Sequence, residues 1–438
     1  METETRKSSI GPFDVIKWPD IPGIPGTGRF GAQKYRKEAK DKPGRHQMTL
    51  EDVFIKTQWS SSLSHEAHLL HAASGGVGIP LLHWFETVEE KDVMIMDTYG
   101  PVMEESFNQA GRYFGMQSLL LFADQFLSRL EFIHSRKIIH GSLSPWSFAF
   151  GSHPWQNHQI CLVDFATETG RGASVLTDLQ AVGQILAYFY TGSDSWERFQ
   201  NERAYEKDIA PVFDMFRDAV STHKSVDYGA LRDIFQGAYQ DLAFCLAIGL
   251  NLQGPRAIKH GLQPHLGDLS DMRTDVLFNS LSKKLSEAGT KFQNHNLSDQ
   301  VSVDLLMSFE KILAIYMVLL VRDRPSSMKK ELVLGAYHLP NSLWRDLRWF
   351  MNVTEKALHP CRLAIIAKAY KFVTALYEMI PAYGIYWAEY LLALARSRKE
   401  IEPDCGKSVW TQTTYYWQDR FNRLEAEKNG SKGRTRKC

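Results

Sequence analysis

The stretch KIIHGSLSPWSFAFG, residues 137–151, sets one imidazole, His140, beside three hydroxyls, Ser142, Ser144 and Ser147, with no carboxylate among them. A serine hydroxyl has no useful basicity near neutral pH and cannot accept a proton as a general base does. It can be a nucleophile, but only with a positioned base, or it can donate hydrogen bonds in some other group transfer. The competing reading is that the three serines only occupy their positions, and it is the stronger one.

A second kind of chemistry is suggested further along. SLWRDLRWF interleaves Trp344, Arg345, Arg348 and Trp349, and TYYWQDRFNR does the same with Tyr415, Tyr416, Trp417, Arg420 and Arg423. Arginine and aromatic faces stack on unpaired bases, so Arg345, Arg348, Arg420 and Arg423 are candidate RNA contacts. The same composition also makes amphipathic helices whose arginine stems cover a core, and no known RNA-binding motif accompanies it. His260, His265, His295, His338 and His359 are too dispersed for a metal site. The five cysteines are scattered without a C-x-x-C pair, which argues for neither zinc nor a disulfide framework and suits a reducing compartment.

These residues need elements to position them. EDVFIKTQW, LLHWFETV and DVMIMDTYG read as strands, SHEAHLLHAA as a helix, and GGVGIP as a turn. WPDIPGIPGTGRFG is loop or glycine-rich turn. From residue 116 the apolar period becomes helical. Leu119, Leu120, Phe122, Phe126, Leu130 and Ile133 share a stripe, and DLQAVGQILAYFYTG forms a second apolar helix ended by Gly192. Beyond about residue 240 only helices are expected, with Pro381 and Gly384 breaking the long run after Cys361. The last ten residues read as a disordered basic tail.

A chain of 438 residues suits two domains. No secretory signal opens it, and its longest apolar run, ILAIYMVLLV, is too short to span a bilayer and reads as a buried helix. A cytoplasmic or nuclear protein without membrane attachment is the expectation. Net charge is +1, yet residues 1–240 carry −7 and residues 241–438 carry +8. Such asymmetry fits either two halves that attract or a nucleic-acid surface.

Taken in order, GGVGIPLLHWF, VMIMDTYGPVMEESF, IIHGSLSPWSFAFG, ICLVDFA and DLQAVGQILAYFYTGSDSW, with VDYGALRDIF closing, resemble the casein kinase I family over about residues 25–240. The resemblance implies an α+β, bilobal protein-kinase-like fold with a small lobe to about residue 100 and a large lobe over 101–240. A short segment, 1–24, would precede it, and a mainly helical domain, 241–428, and the basic tail, 429–438, would follow.

Carried over position by position, Gly26, Gly28 and Gly31 of GTGRFG match the phosphate-covering loop. Lys56 matches the lysine that clamps ATP phosphates, Glu66 its helix partner, and Asp164 the magnesium ligand. Met96 resembles the residue limiting the adenine pocket, and Tyr99 the hinge residue whose backbone meets the adenine. Asp178 resembles the aspartate opening the central helix. A surface ion pair is the plain alternative for Lys56 and Glu66.

The catalytic loop departs from the family pattern. Gly141 stands for Arg, Ser142 for the base Asp, Ser144 for Lys and Ser147 for the metal-binding Asn, while Ala166 replaces the glycine after VDF. Only thirteen residues, 165–177, precede Asp178, too few for a substrate-binding segment.

The expectation is a pseudokinase, not an ordinary protein kinase. It would bind or scaffold a protein partner and hold at most a weak ATP and magnesium site. The alternative is a repurposed kinase-fold biosynthetic enzyme, a transferase or ligase whose group transfer depends on a nucleotide or an aminoacyl-tRNA. RNA would then be a partner through the basic half.

Overall fold

The computed structural model describes residues 9–10, 13–15, 40–46, 52–58, 62–88, 90–153, 155–165, 173–202, 216–220, 226–236, 272–292, 299–322, 339–356, 359–402 and 404–434. It is a mixed α+β structure with small antiparallel sheets and a helical C-terminal region. Three strands come first: β1 (Ser9–Ile10) and β2 (Phe13–Val15), paired antiparallel, and β3 (Lys40–His46). The chain forms two compact units, one containing 52–258 and the other 259–438.

In the first unit, β4 (Asp52–Gln58), β5 (Leu82–Val88) and β6 (Lys91–Asp97) lie antiparallel with β6 central. Strand alternation puts successive side chains on opposite faces. Lys56 is opposite Met94 and Phe54 opposite Met96, so these four share one face, while Ile55 and Ile95 share the other. Helix α1 (Ser62–Ala72) packs on all three strands. Glu90 turns the β5–β6 hairpin with φ 64°.

A second sheet follows, β7 (Tyr99–Val102), β8 (Phe148–Gly151) and β9 (Ile160–Leu162), in that order. Its helices are α2 (Met103–Gln109), α3 (Met116–Ser135), α4 (Val175–Thr191), α5 (Trp196–Glu202) and α6 (Tyr228–Gln236). The helical stripe read from sequence is buried: Leu119, Leu120, Phe122, Phe126, Leu130 and Ile133 all face the core. Phe107, Phe114, Phe122, Phe126, Phe148 and Phe189 form a chain of ring contacts through it, and aromatic pairs add to the stability from burial alone.

The GGVGIP turn is fixed by a buried polar post. Arg129 on α3, fully buried, donates from Nε to the Ile160 carbonyl at 2.8 Å, and Leu162 N–H donates to Gly78 O at 2.9 Å. Gly78 has φ +67°, and a Cβ there would meet Ile160 O at 2.3 Å and Arg129 Nε at 2.4 Å. Only glycine admits both that backbone and that approach.

The second unit is all helix among its described residues from 272 onward: α7 (Thr274–Phe292), α8 (Asp299–Arg322), α9 (Leu339–Val353), α10 (His359–Met379), α11 (Gly384–Ile401) and α12 (Asp404–Arg434). A 3-10 turn, Thr354–Lys356, follows α9, and another, Pro381–Tyr383, separates α10 from α11 at the expected break. The apolar run of residues 312–321 lies in α8 with most of its side chains buried. No helix among the described residues is long and apolar enough to cross a membrane.

Of the expected basic tail over 429–438, residues to Arg434 belong to the end of α12, and 435–438 lie outside the described residues. Extending a formed helix adds one hydrogen bond per residue fixed, without a new nucleation cost.

Candidate functional site

Lys56 on β4 and Glu66 on α1 meet at 2.5 Å between Nζ and Oε1, and their residues are 5% and 6% exposed. That burial rules out the surface ion-pair reading. A buried pair holds together because either charge alone would be desolvated without compensation. Met96, fully buried, follows on β6, and Tyr99 on β7 places its ring 5.2 Å from Phe54. Lys56, Phe54, Met94 and Met96 therefore form one cationic and apolar wall on one face of the sheet.

A second cluster holds the loop that carries the three serines. Its centre is Asp178, in the first turn of α4 and almost fully buried. The turn is set by a reciprocal cap. Ser174 Oγ accepts from Thr177 N–H at 3.2 Å, and Thr177 Oγ1 accepts from Ser174 N–H at 2.8 Å. Asp178 then accepts from His140 N–H and Gly141 N–H, each at 2.8 Å, and bonds His134 Nε2 at 2.9 Å. Gly141 has φ 76°, a left-handed conformation that allows two successive N–H groups to reach one carboxylate. His134 Nδ1 in turn meets the Tyr228 hydroxyl on α6.

The electrostatics follow from these contacts. Burial pushes the Asp178 carboxyl up, but the His134 bond and the two backbone N–H groups outweigh it and leave its pKa below the ordinary value. Burial pushes the His140 imidazole down, against the pull of Asp164 and Asp178. Burial and the Glu131 and Asp178 carboxylates hold the Tyr228 phenol far above its usual range. His140 Nε2 donates to the Asp164 carbonyl, and its Nδ1 is buried without a partner among the described residues. Burial thus favours the neutral form of the His140 ring, and Asp164, two residues past β9, is partly accessible.

The serines divide by role. Ser147 is fully buried, and its Oγ accepts from Ser144 N–H at 3.1 Å. Ser144 Oγ accepts from Trp146 N–H at 3.3 Å, and Ser147 N–H donates to Ser144 O at 2.9 Å. Together they cap the 3-10 turn Pro145–Ser147. Ser142 is exposed, with no base bonded to it among the described residues.

Gly26, Gly28 and Gly31 lie outside the described residues. The candidate RNA contacts lie in the helical unit, and three of the four also bond to neighbouring residues there. Arg345 Nε pairs with Asp346 at 3.0 Å, Arg420 Nε donates to the Tyr377 hydroxyl at 2.6 Å, and Arg423 pairs with Asp419 at 2.8 Å one turn away. Trp417 is fully buried and donates to the Tyr370 hydroxyl at 2.5 Å, while Trp344 stacks on Tyr390 with ring centres 4.7 Å apart. Arg348 alone of the four has no such bond among the described residues. Among the described residues no cluster of histidines, cysteines and carboxylates could hold a metal.

His134, Tyr228, Arg129 and Gln125 carry much of the first unit's polar framework and went unnoticed in the sequence. His134 and Arg129 lie within the stripe helix, where a polar residue reads as solvent-facing. Tyr228 is 94 residues from its partner, a separation no local pattern encodes. No protein-family model matches the chain.

Proposed function

We propose that residues 25–240 form a degenerate, casein kinase I-like bilobal domain that binds or scaffolds a protein partner without transferring phosphate to protein. The observation that carries this reading is the loop held by Asp178. From His140 to Ser147 its side chains offer no carboxylate for proton abstraction, no lysine or arginine and no amide. Ser147 cannot stand in as a metal ligand, because its hydroxyl is buried and already bonded to the Ser144 backbone. Two more observations support kinase ancestry: the buried Lys56–Glu66 pair between a strand and a helix, and the aspartate that bonds the backbone of the histidine loop.

Of the groups that an ATP and magnesium site needs, Lys56 fits a phosphate and Asp164 fits one metal position. The second metal position has no matching ligand. With magnesium-ATP and casein, phosphate incorporation should stay more than a hundredfold below the roughly 1–100 per second of ordinary kinases. A rate inside that hundredfold overturns the reading.

The retained Lys56–Glu66 pair favours one second reading, a nucleotide-dependent group transfer to a different acceptor. Thermal stabilisation by ATP that Lys56→Ala abolishes, together with ATP turnover that leaves protein unphosphorylated, would select it over the scaffold.

A further inference from the structure

The helical unit contains a solvent-open cleft of about 230 Å³ walled by one face from each of three helices, with Arg348, Asn352, Glu355 and Glu400 exposed at its rim. Trp344, Arg348, Met351 and Asn352 come from α9 at helical spacing, Glu355 from the turn after it, Arg362 and Ile366 from α10, and Ala393, Ser397 and Glu400 from α11. Residues three and four apart share a helix face, so the lining follows directly from the helix period. Cavities of about 300–1,000 Å³ take drug-sized ligands, so this one suits a smaller metabolite.

The charges of this lining set it apart. Arg348, Arg362, Glu355 and Glu400 all face one space, yet none forms an ion pair or hydrogen bond among the described residues. Other charges of the unit are paired, as Lys368 with Glu310 at 2.6 Å and Arg398 with Glu402 at 2.5 Å, while some, such as Glu389 and Lys399, make no ion pair among the described residues; what distinguishes the lining is that two arginines and two glutamates converge on one space. Arg362 Nε is moreover shielded from solvent without a partner among the described residues, and a buried donor in that state calls for an explanation. Trp344 is held flat against Tyr390, with 4° between the rings, which gives the cavity a rigid aromatic wall.

We infer that this cavity binds a small zwitterion of the amino-acid class. Its acidic group would lie between Arg348 and Arg362, and its amine would lie toward Glu355 and Glu400. A planar guanidinium presents paired N–H donors that match a carboxylate. Two arginines alone would admit any anion, but Glu355 and Glu400 repel one that lacks a cation of its own. Asn352 and Ser397 supply neutral hydrogen-bonding groups, and Met351 and Ile366 limit the side chain to an apolar or short one. This site lies within the second unit and is independent of the kinase-like reading of the first.

The test is a thermal-shift titration of the full chain with each of the twenty L-amino acids, their N-acetyl forms and inorganic phosphate. At least one free amino acid should raise Tm saturably. Blocking its amine should weaken binding about tenfold or more, as expected for losing a charge-assisted hydrogen bond. R348Q and R362Q should weaken it by a similar factor, while E389Q, an exposed carboxylate on α11 outside the cavity, should leave it unchanged. Should R362Q fail to fold, R348Q decides, because Arg348 is exposed. The inference is overturned if no amino acid shifts Tm, if phosphate or the N-acetyl forms shift it equally, or if R348Q binds as tightly as the wild type.

Discussion

Two side chains of the first unit bear the clearest energetic consequences. Lys56 and Glu66 are buried together, so losing one partner leaves the other charged and desolvated. Removing one partner of such a pair costs about 3–5 kcal/mol, whereas replacing both by apolar residues is often neutral. Lys56→Met or Glu66→Leu alone should therefore lower the urea-unfolding free energy by more than the double substitution does. His140 gives a pH signature. Its native pKa is depressed below 6.5, so under mild acid the unfolded chain binds a proton that the native ring refuses. Stability should then fall as pH drops below 6.5, with a slope of at most about 1.4 kcal/mol per pH unit for this one proton. Asp178 acts in a different window. Its depressed native pKa stabilises the fold above 3.8 and is lost only as pH falls below that. Urea titrations at pH 7 and pH 5 should show a steeper loss in wild type than in His140→Phe. The serine-rich loop was legible as lacking a base, because that depends on residue types alone. The reciprocal cap of Ser144 and Ser147 was not, since it depends on a turn only four residues long.

Element by element, the pattern of periodicity decided what the sequence revealed. Strands β4 to β6 and helices α3, α4 and α8 to α11 stood out because their apolar residues repeat at one clear period. Helix α7 falls in the stretch expected to be helical but does not stand out by itself, although Leu277, Leu281, Ala288 and Phe292 bury one stripe of it. Its charged and polar remainder, SKKLSEAGTK, dilutes that stripe. The end of α3 shows a strain visible only in the backbone. Lys137 N–H bonds His134 O at 2.9 Å and Ile138 N–H bonds Ile133 O at 3.0 Å, a Schellman close whose left-handed position holds a lysine with φ 60°. A left-handed non-glycine residue costs about 1–2 kcal/mol and glycine's extra unfolded-state entropy takes back about 0.4–1, so Lys137→Gly should raise stability by a few tenths to about 1 kcal/mol. Chemical denaturation measures this directly, and a loss of stability would show that the exposed Lys137 side chain contributes more than its backbone strain costs.

For the whole molecule, the charge asymmetry between the halves was legible from counting, but its use was not. The structure engages Arg345, Arg420 and Arg423 with Asp346, Tyr377 and Asp419, and sinks Trp417 into the helical core. These are partly exposed contacts worth about 0–1 kcal/mol each, so they compete only modestly with a phosphate, and the expectation of no RNA rests also on the missing RNA-binding motif. Purified full-length protein should therefore elute without a nuclease-sensitive absorbance at 260 nm. If RNA did co-purify, its retention should fall steeply with added salt, as phosphate contacts release counterions. Such retention would restore the nucleic-acid reading of the helical unit and weigh toward the tRNA-dependent alternative.

The aspartate hub also bears on the order in which the first unit assembles. His140 and Asp178 are 38 residues apart, and His134 and Tyr228 are 94 apart. Closing loops of that length costs chain entropy before any bond repays it, and distant contacts of this kind slow folding. The α3 stripe and the β5–β6 hairpin, by contrast, rest on near neighbours in sequence. The cap made by Ser144 and Ser147 is local, but the anchoring of their loop to α4 through Asp178 is not, so late protection of the His140 and Gly141 amides during refolding is the expected outcome.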